Sequence, residues 1–182
     1  MEKVVLPPFK PRRTEEEVEK ECPWAAMGKK QHRAPNILTS LELEPHHMEE
    51  KNLHLQAKYQ EIREKEVRYE EILCEDAEYV IIAFGSASRI AQKVIELCRE
   101  EGLKVGLLRP ITLWPFPTKE IHELSKRVKG MLSFEINAGQ MIEDIRLAVA
   151  GNTPVAYYGR MGGIVPTPEE VVEALKKELI TK

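Results

Sequence analysis

From Tyr79 onward, short apolar runs alternate with stretches whose apolar residues recur at helical spacing, and few folds satisfy that alternation. "YVIIAF" (79–84) is apolar throughout, as a strand covered on both faces must be. "GSAS" (85–88) leads into a helix over 88–101, with Ile90, Val94, Leu97 and Cys98 inward, Ser86 or Ser88 placed to cap its first amides, and Gly102 to end it. "KVGLLR" (104–109) reads as a second strand, "PITLWPFP" (110–117) as a stiff loop, and 118–128 as a helix with Gly130 just past it. "MLSFEI" (131–136) and "PVAYYG" (154–159) are further strands, separated by a helix over 140–150 that carries Ile142, Ile145 and Val149. "RMGGIVP" (160–166) is a loop, and Thr167, Pro168, Glu169 and Glu170 combine cap, proline and acids at the start of a last helix running to Leu179. Strand–helix–strand units of this length require right-handed crossovers. The expected fold of 79–182 is therefore α/β: a three-layer sandwich around a mostly parallel sheet.

Upstream the pattern differs. Residues 1–48 hold six of the twelve prolines and no sustained period, so they read as an irregular arm. Phe9, Trp24 and Met27 favour an arm lying on a surface over a solvated linker. Residues 49–78 read as one long helix over 49–75, with a linker. Leu55, Tyr59, Ile62, Tyr69 and Leu73 form its narrow stripe, interrupted at Glu66.

With 27 basic and 30 acidic residues, the net charge of −3 provides no footprint for nucleic acid or an anionic membrane. The longest apolar run is far below the ~20 residues of a membrane span, and residues 1–13 have no signal-peptide core. Cys22, Cys74 and Cys98 are odd in number, widely spaced and without a CxxC, so no disulfide framework, zinc site or iron–sulfur cluster is expected on them. Three thiols without an export signal point to a reducing cytoplasm. His46, His47 and His54 sit in an acidic junction and do not set up a metal site.

In open parallel sheets ligands bind beyond the carboxyl ends of the strands, which directs attention to four loops. Gly85, Ser86, Ser88 and Arg89 precede or open a helix and are candidates for holding an anion, although "GSASR" is neither a dinucleotide fingerprint nor a Walker A loop, and an ordinary tight turn is the plainer reading. Arg109 ends a strand where a Rossmann dehydrogenase would place an acid; it is a candidate ligand clamp or an ion-pair partner of Glu135. Trp114 and Phe116, between prolines, are either interface anchors or a lid over the domain's own core. Met161, Gly162 and Gly163 form either a closing loop or a plain turn. Glu135, Asn137, Gly139 and Gln140, in "EINAGQ", are polar groups that need partners, supplied either by a neighbouring surface or by the turn itself. No nucleophile–base–acid set appears.

"VIIAFGS", "GLKVGLLRPITLWPFP", "FEINAGQM" and "GRMGGIVPTPEEVVEAL", in this order and spacing, resemble the C-terminal part of the α-subunit of 2-oxoacid:ferredoxin oxidoreductases, of the 2-oxoglutarate or 2-ketoisovalerate (branched-chain) type. The resemblance covers roughly 79–180. A more distant likeness runs to the C-terminal domain of transketolase. The resemblance implies oxidative decarboxylation of a 2-oxoacid to an acyl-coenzyme A, with thiamine diphosphate, magnesium and iron–sulfur clusters carried on other domains or subunits. It implies a non-catalytic domain that completes an assembly, its strand-end loops bordering the cofactor and coenzyme A cleft. The implied partners are the thiamine-binding domain of the same subunit, the β-subunit, γ- or δ-subunits and, through the complex, ferredoxin; a homo-oligomer is also open. On this reading the chain is a truncated piece or a split-gene product, inactive alone. The alternatives are an independent anion- or nucleotide-binding module and a plain interaction domain.

Overall fold

The computed structural model describes residues 6–25 and 35–181. Met27, read as an apolar residue of the arm, lies outside the described residues. The chain divides into two compact units, one ending at Leu53 and the other beginning at His54.

In the first unit the arm is not wholly irregular. Helix α1 spans Glu15–Glu21. Its start is a capping box: the Thr14 hydroxyl accepts the Glu17 N–H at 3.2 Å, and the Glu17 carboxylate accepts the Thr14 N–H at 2.7 Å. Residues 35–44 have no regular structure, and Ile37, Leu38, Leu41 and Leu43 are 71–94% exposed.

Helix α2 spans Pro45–Lys65. It starts earlier than 49, with proline at its first position, and ends ten residues before 75. Tyr69–Ile72 is a strand, β1, so Tyr69 and Leu73 are not part of a helical stripe. The physical reason is tertiary. β1 pairs antiparallel with β3, Val105–Pro110, placing Tyr69 opposite Pro110 and Ile72 opposite Leu107. The break at Glu66 was the true helix boundary. No residue of α2 is buried, which fits its narrow stripe.

The sheet order is β1-β3-β2-β4-β5, with β2 at Tyr79–Ile82, β4 at Gly130–Glu135 and β5 at Val155–Gly159. All neighbouring pairs except β1–β3 are parallel. Helices α3 (Gly85–Glu100) and α6 (Pro168–Leu175) enclose one face, where Ile81, Leu107, Leu132 and Phe134 meet Val94, Val171 and Leu175. Helices α4 (Thr118–Ser125) and α5 (Met141–Val149) enclose the other, where Val80, Ile82, Leu108 and Met131 meet Ile121, Leu124 and Ile145. Successive residues of a strand thus feed opposite cores, which explains the unbroken apolar runs. At about 1.5–3 kcal/mol for each fully buried aliphatic side chain, these two layers are what hold the sandwich together. The three-layer α/β fold expected from the sequence is the one observed.

Three local expectations are corrected. α3 starts at Gly85 with Phe84 at the cap, and neither serine caps it: the Ser88 hydroxyl donates back to the Gly85 carbonyl at 2.7 Å. α4 stops at Ser125, and Gly130 lies inside β4, where an added Cβ would come within 3.0 Å of Leu179. The C-terminal helix widens after Leu175 into a π-helical turn, Lys176–Ile180. Its start is as expected, a capping box between Thr167 and Glu170 with Pro168 in the first turn.

Candidate functional site at the strand ends

Because β2, β3, β4 and β5 run in parallel, their carboxyl ends lie along one edge of the sheet. The four loops singled out above follow these strands, so the sheet brings them to a common side. What each does there differs.

Glu135 ends β4 and is fully buried. Its Oε2 accepts the N–H groups of Gln140 at 3.1 Å and Met141 at 2.9 Å, and its Oε1 accepts the Ile142 N–H at 3.0 Å and the Ser133 hydroxyl at 2.8 Å. Those amides open α5, which has no side-chain cap of its own. A carboxylate reaching back from the strand therefore satisfies the helix start and complements its dipole. Burial pushes its pKa up, but the hydrogen bonds from Met141, Ser133, Gln140 and Asn137 outweigh that and hold the carboxyl below its ordinary value.

Asn137 closes its own turn, its Oδ1 accepting the Gly139 N–H at 2.7 Å, while the Tyr157 hydroxyl donates to the Asn137 carbonyl. Gly139 has φ +97°, and a Cβ there would stand 3.3 Å from the Tyr157 ring. Only Gln140 of this set presents an exposed side chain.

Arg109 does not meet Glu135. β2 stands between their strands, and Arg109 instead bonds Glu70 on β1 at 3.0 Å, directly across the antiparallel pair. Its Nε is buried without a hydrogen-bond partner. Gly85 and Ser86 are exposed at the start of α3, Arg89 is half-buried, and the Ser88 hydroxyl is turned inward to the Gly85 carbonyl.

The aromatic pair splits in role. Phe116 packs against the core beneath α4 and α5, whereas Trp114 is 53% exposed and meets Tyr59 of α2 edge-on, with ring centres 5.6 Å apart. Arg68 and Thr112 fasten the base of this loop: the Arg68 carbonyl accepts the Ile111 N–H at 2.9 Å and the Arg68 N–H donates to the Thr112 hydroxyl at 3.0 Å. Between them, the end of α2, the loop and the first turn of α4 enclose a groove of about 580 Å³. Trp114, Phe116 and Val67 line it beside Arg63, Lys119 and Glu120.

Sequence reasoning picked out Trp114 and Met161 but missed the apolar side chains beside them, Ile111, Leu113, Ile164 and Val165, which complete an apolar rim. Ile111, Leu113 and Trp114 after β3, and Met161, Ile164 and Val165 after β5, are 47–59% exposed. Gly162 and Gly163 adopt positive φ between the latter. The signal was present as large apolar residues inside loops bounded by proline and glycine. Arg160, at the base of the second loop, is tied to Glu170 at 2.9 Å.

Burial raises the pKa of Cys74 and Cys98 to about 11 each; a thiol so placed packs and does not react. Among the described residues, no three His, Cys, Asp or Glu side chains gather as a metal centre requires, and no helix is long and apolar enough to cross a membrane.

Residues 77–171, more than half of the chain, match the family described as pyruvate:ferredoxin oxidoreductase core domain II. The chain belongs to this family. The core domain II match runs from just before β2 into α6 and includes all four strand-end loops. Over 154 residues the chain is 45% identical to ketoisovalerate oxidoreductase subunit VorB of Methanothermobacter thermautotrophicus, covering 85% of this chain and 43% of that subunit. Among solved structures, 2-oxoglutarate:ferredoxin oxidoreductase from Magnetococcus marinus, with 2-oxoglutarate, coenzyme A and succinyl-CoA bound, aligns with a TM-score of 0.65 and 24% identity, over 85% of this chain and 28% of that one. A split-gene transketolase aligns with a TM-score of 0.53 and 17% identity, over 62% and 42%. Both structures share the fold of core domain II. The resemblance drawn from the four motifs therefore holds: this is a 2-oxoacid:ferredoxin oxidoreductase domain with a transketolase-like sandwich. The chain spans less than half the length of the curated relatives it matches.

Proposed function

We propose that this chain is the non-catalytic core domain II of a 2-oxoacid:ferredoxin oxidoreductase α-subunit, and that its strand-end edge docks a companion domain beside the cofactor and coenzyme A cleft. The observation that supports this reading is the apolar rim. Ile111, Leu113 and Trp114 flank one side of the edge, Met161, Ile164 and Val165 the other, and the interval between β3 and β5 is three strand spacings, about 14 Å. Half-exposed large apolar side chains gathered on one edge mark an interface. Glu135 and Asn137, between these loops, are satisfied internally and make that edge rigid. A rigid edge with an apolar rim suits docking better than chemistry.

In this reading the thiamine-binding domain of the same subunit and the β-subunit meet this edge, and the exposed Ile37, Leu38, Leu41 and Leu43 lie on the same companions. Thiamine diphosphate supplies the electron sink for decarboxylation in such enzymes; this chain contributes position and exclusion of water. The work takes place in the cytoplasm.

The test is reconstitution. The purified chain is assayed for viologen reduction with 2-oxoglutarate, 2-ketoisovalerate and pyruvate in the presence of thiamine diphosphate and coenzyme A, alone and with the companion polypeptides. Turnover is expected only with the companions. Turnover by the chain alone would overturn the non-catalytic assignment.

A further inference from the structure

The sheet has two edges, β1 on one side and β5 on the other. They are protected differently. β1 is four residues long and carries Glu70 and Glu71, so a second copy brought against it would set carboxylates against carboxylates. β5 reads Val-Ala-Tyr-Tyr-Gly, with no charge and no proline inside it. Charges and prolines are the devices that keep open edges apart.

The hydrogen bonds to β4 show which backbone groups β5 leaves outward. The Pro154 carbonyl accepts the Met131 N–H at 2.9 Å, and the Arg160 N–H donates to the Glu135 carbonyl at 3.4 Å. Even-numbered residues therefore face β4, because N–H and C=O of one residue share a side of the strand. Val155, Tyr157 and Gly159 aim theirs outward, along an edge that no strand among the described residues covers.

We infer that the β5 edge pairs with β5 of a second copy, antiparallel, about a two-fold axis at Tyr157. In that register Val155 lies opposite Gly159 and Tyr157 opposite its own counterpart, and each such pair exchanges two N–H···O bonds. The flanks also agree. Arg160 falls opposite Pro154, not opposite another arginine, and its charge is already met by Glu170. Ala156 falls opposite Tyr158, so no like charges meet anywhere along the strand. The side chains of β5 are all half-buried under their own helices, so the contact is chiefly backbone and small. Small interfaces of this kind are weak; dissociation on the order of 10–100 µM is expected.

Sedimentation velocity from about 5 to 500 µM, with amide hydrogen exchange at both ends of the range, tests this on the unaltered chain. A mass that doubles with concentration is expected, together with exchange slowed about tenfold at Val155, Tyr157 and Gly159. Val155→Pro removes an outward N–H and no bond to β4, and is expected to weaken association about tenfold. A monomer throughout the range would overturn the inference, as would a dimer in which those three amides exchange as in the monomer. Protection that arises only on adding the companion subunits would assign the edge to them and overturn it equally. Should Val155→Pro fail to fold, the exchange data on the parent chain decide.

Discussion

Glu135 is the residue on which the strand-end edge turns. It is an acid on an otherwise apolar strand, and its position at the start of α5 converts a costly burial into a cap. Each buried amide left without an acceptor costs about 1–3 kcal/mol, so Glu135→Ala is expected to destabilise the domain by about 3 kcal/mol in urea unfolding at pH 7. Glu135→Gln, which keeps one acceptor, should lose about half of that. The sign of the pH dependence follows from the lowered carboxyl value. The charged form is favoured by folding, so its contribution is complete above the unfolded value of about 4.3 and is lost as the pH falls from there through the folded value. Unfolding curves of the parent and Glu135→Gln should therefore lie apart at neutral pH and draw together as the pH falls below about 4.3 towards the lowered folded value. Curves that stayed equally far apart at low pH would mean that the charge is not what the cap uses.

At the scale of elements, the loop after β3 joins two jobs on neighbouring residues. Phe116 is half-buried and packs against the core from within a loop, and Trp114 is a surface residue held in place by Tyr59. Phe116→Ala should cost about 2 kcal/mol in stability, less than truncation of a fully buried aromatic because the ring is only half-buried. Trp114→Ala should cost about 1 kcal/mol, the worth of an edge-to-face contact, while weakening binding of the companion domain by 2 kcal/mol or more, roughly thirtyfold. Denaturation midpoints and calorimetric titration of the companion separate the two. Equal losses of stability would contradict the division of roles. The passage of the chain from β1 to β2 depends on a similar local fit. Gly106 lets residues 73–77 cross beside β3, since a Cβ there would stand 2.8 Å from the Leu73 carbonyl oxygen. Arg99 clamps the same crossing, donating to the Leu73 carbonyl at 2.8 Å and the Val105 carbonyl at 2.9 Å.

Taken whole, the molecule pairs a well-filled sandwich with much uncovered apolar surface. Leu6, Phe9, Trp24, Ile37 and Leu38 in the first unit are 69–94% exposed, and the rim of the strand-end edge is about half exposed. A chain with that surface should bind a hydrophobic dye such as anilinonaphthalene sulfonate in its folded state. Dye fluorescence is expected to be several-fold above that of a sandwich domain of similar size, and to fall when the companion polypeptides are added. Fluorescence unchanged by the companions would argue that the exposed side chains are not their binding surface.

The alternation of apolar runs and helical stretches determined the sandwich because burial on both faces leaves a parallel strand no room for polar residues, and the capping signals at Thr167 and Pro168 marked a helix start that depends on local chemistry alone. The four motifs likewise carried the family. What the sequence could not determine was everything that depends on which strand lies beside which. β1 looked helical because charged residues and tyrosines suit either period, and only its pairing with β3 makes it a strand. Arg109 and Glu135 looked like partners until β2 came between them. The acid that caps α5 sits five to seven residues before the amides it holds, a distance that no capping pattern along the chain would reveal and that the turn at Gly139 closes in three dimensions.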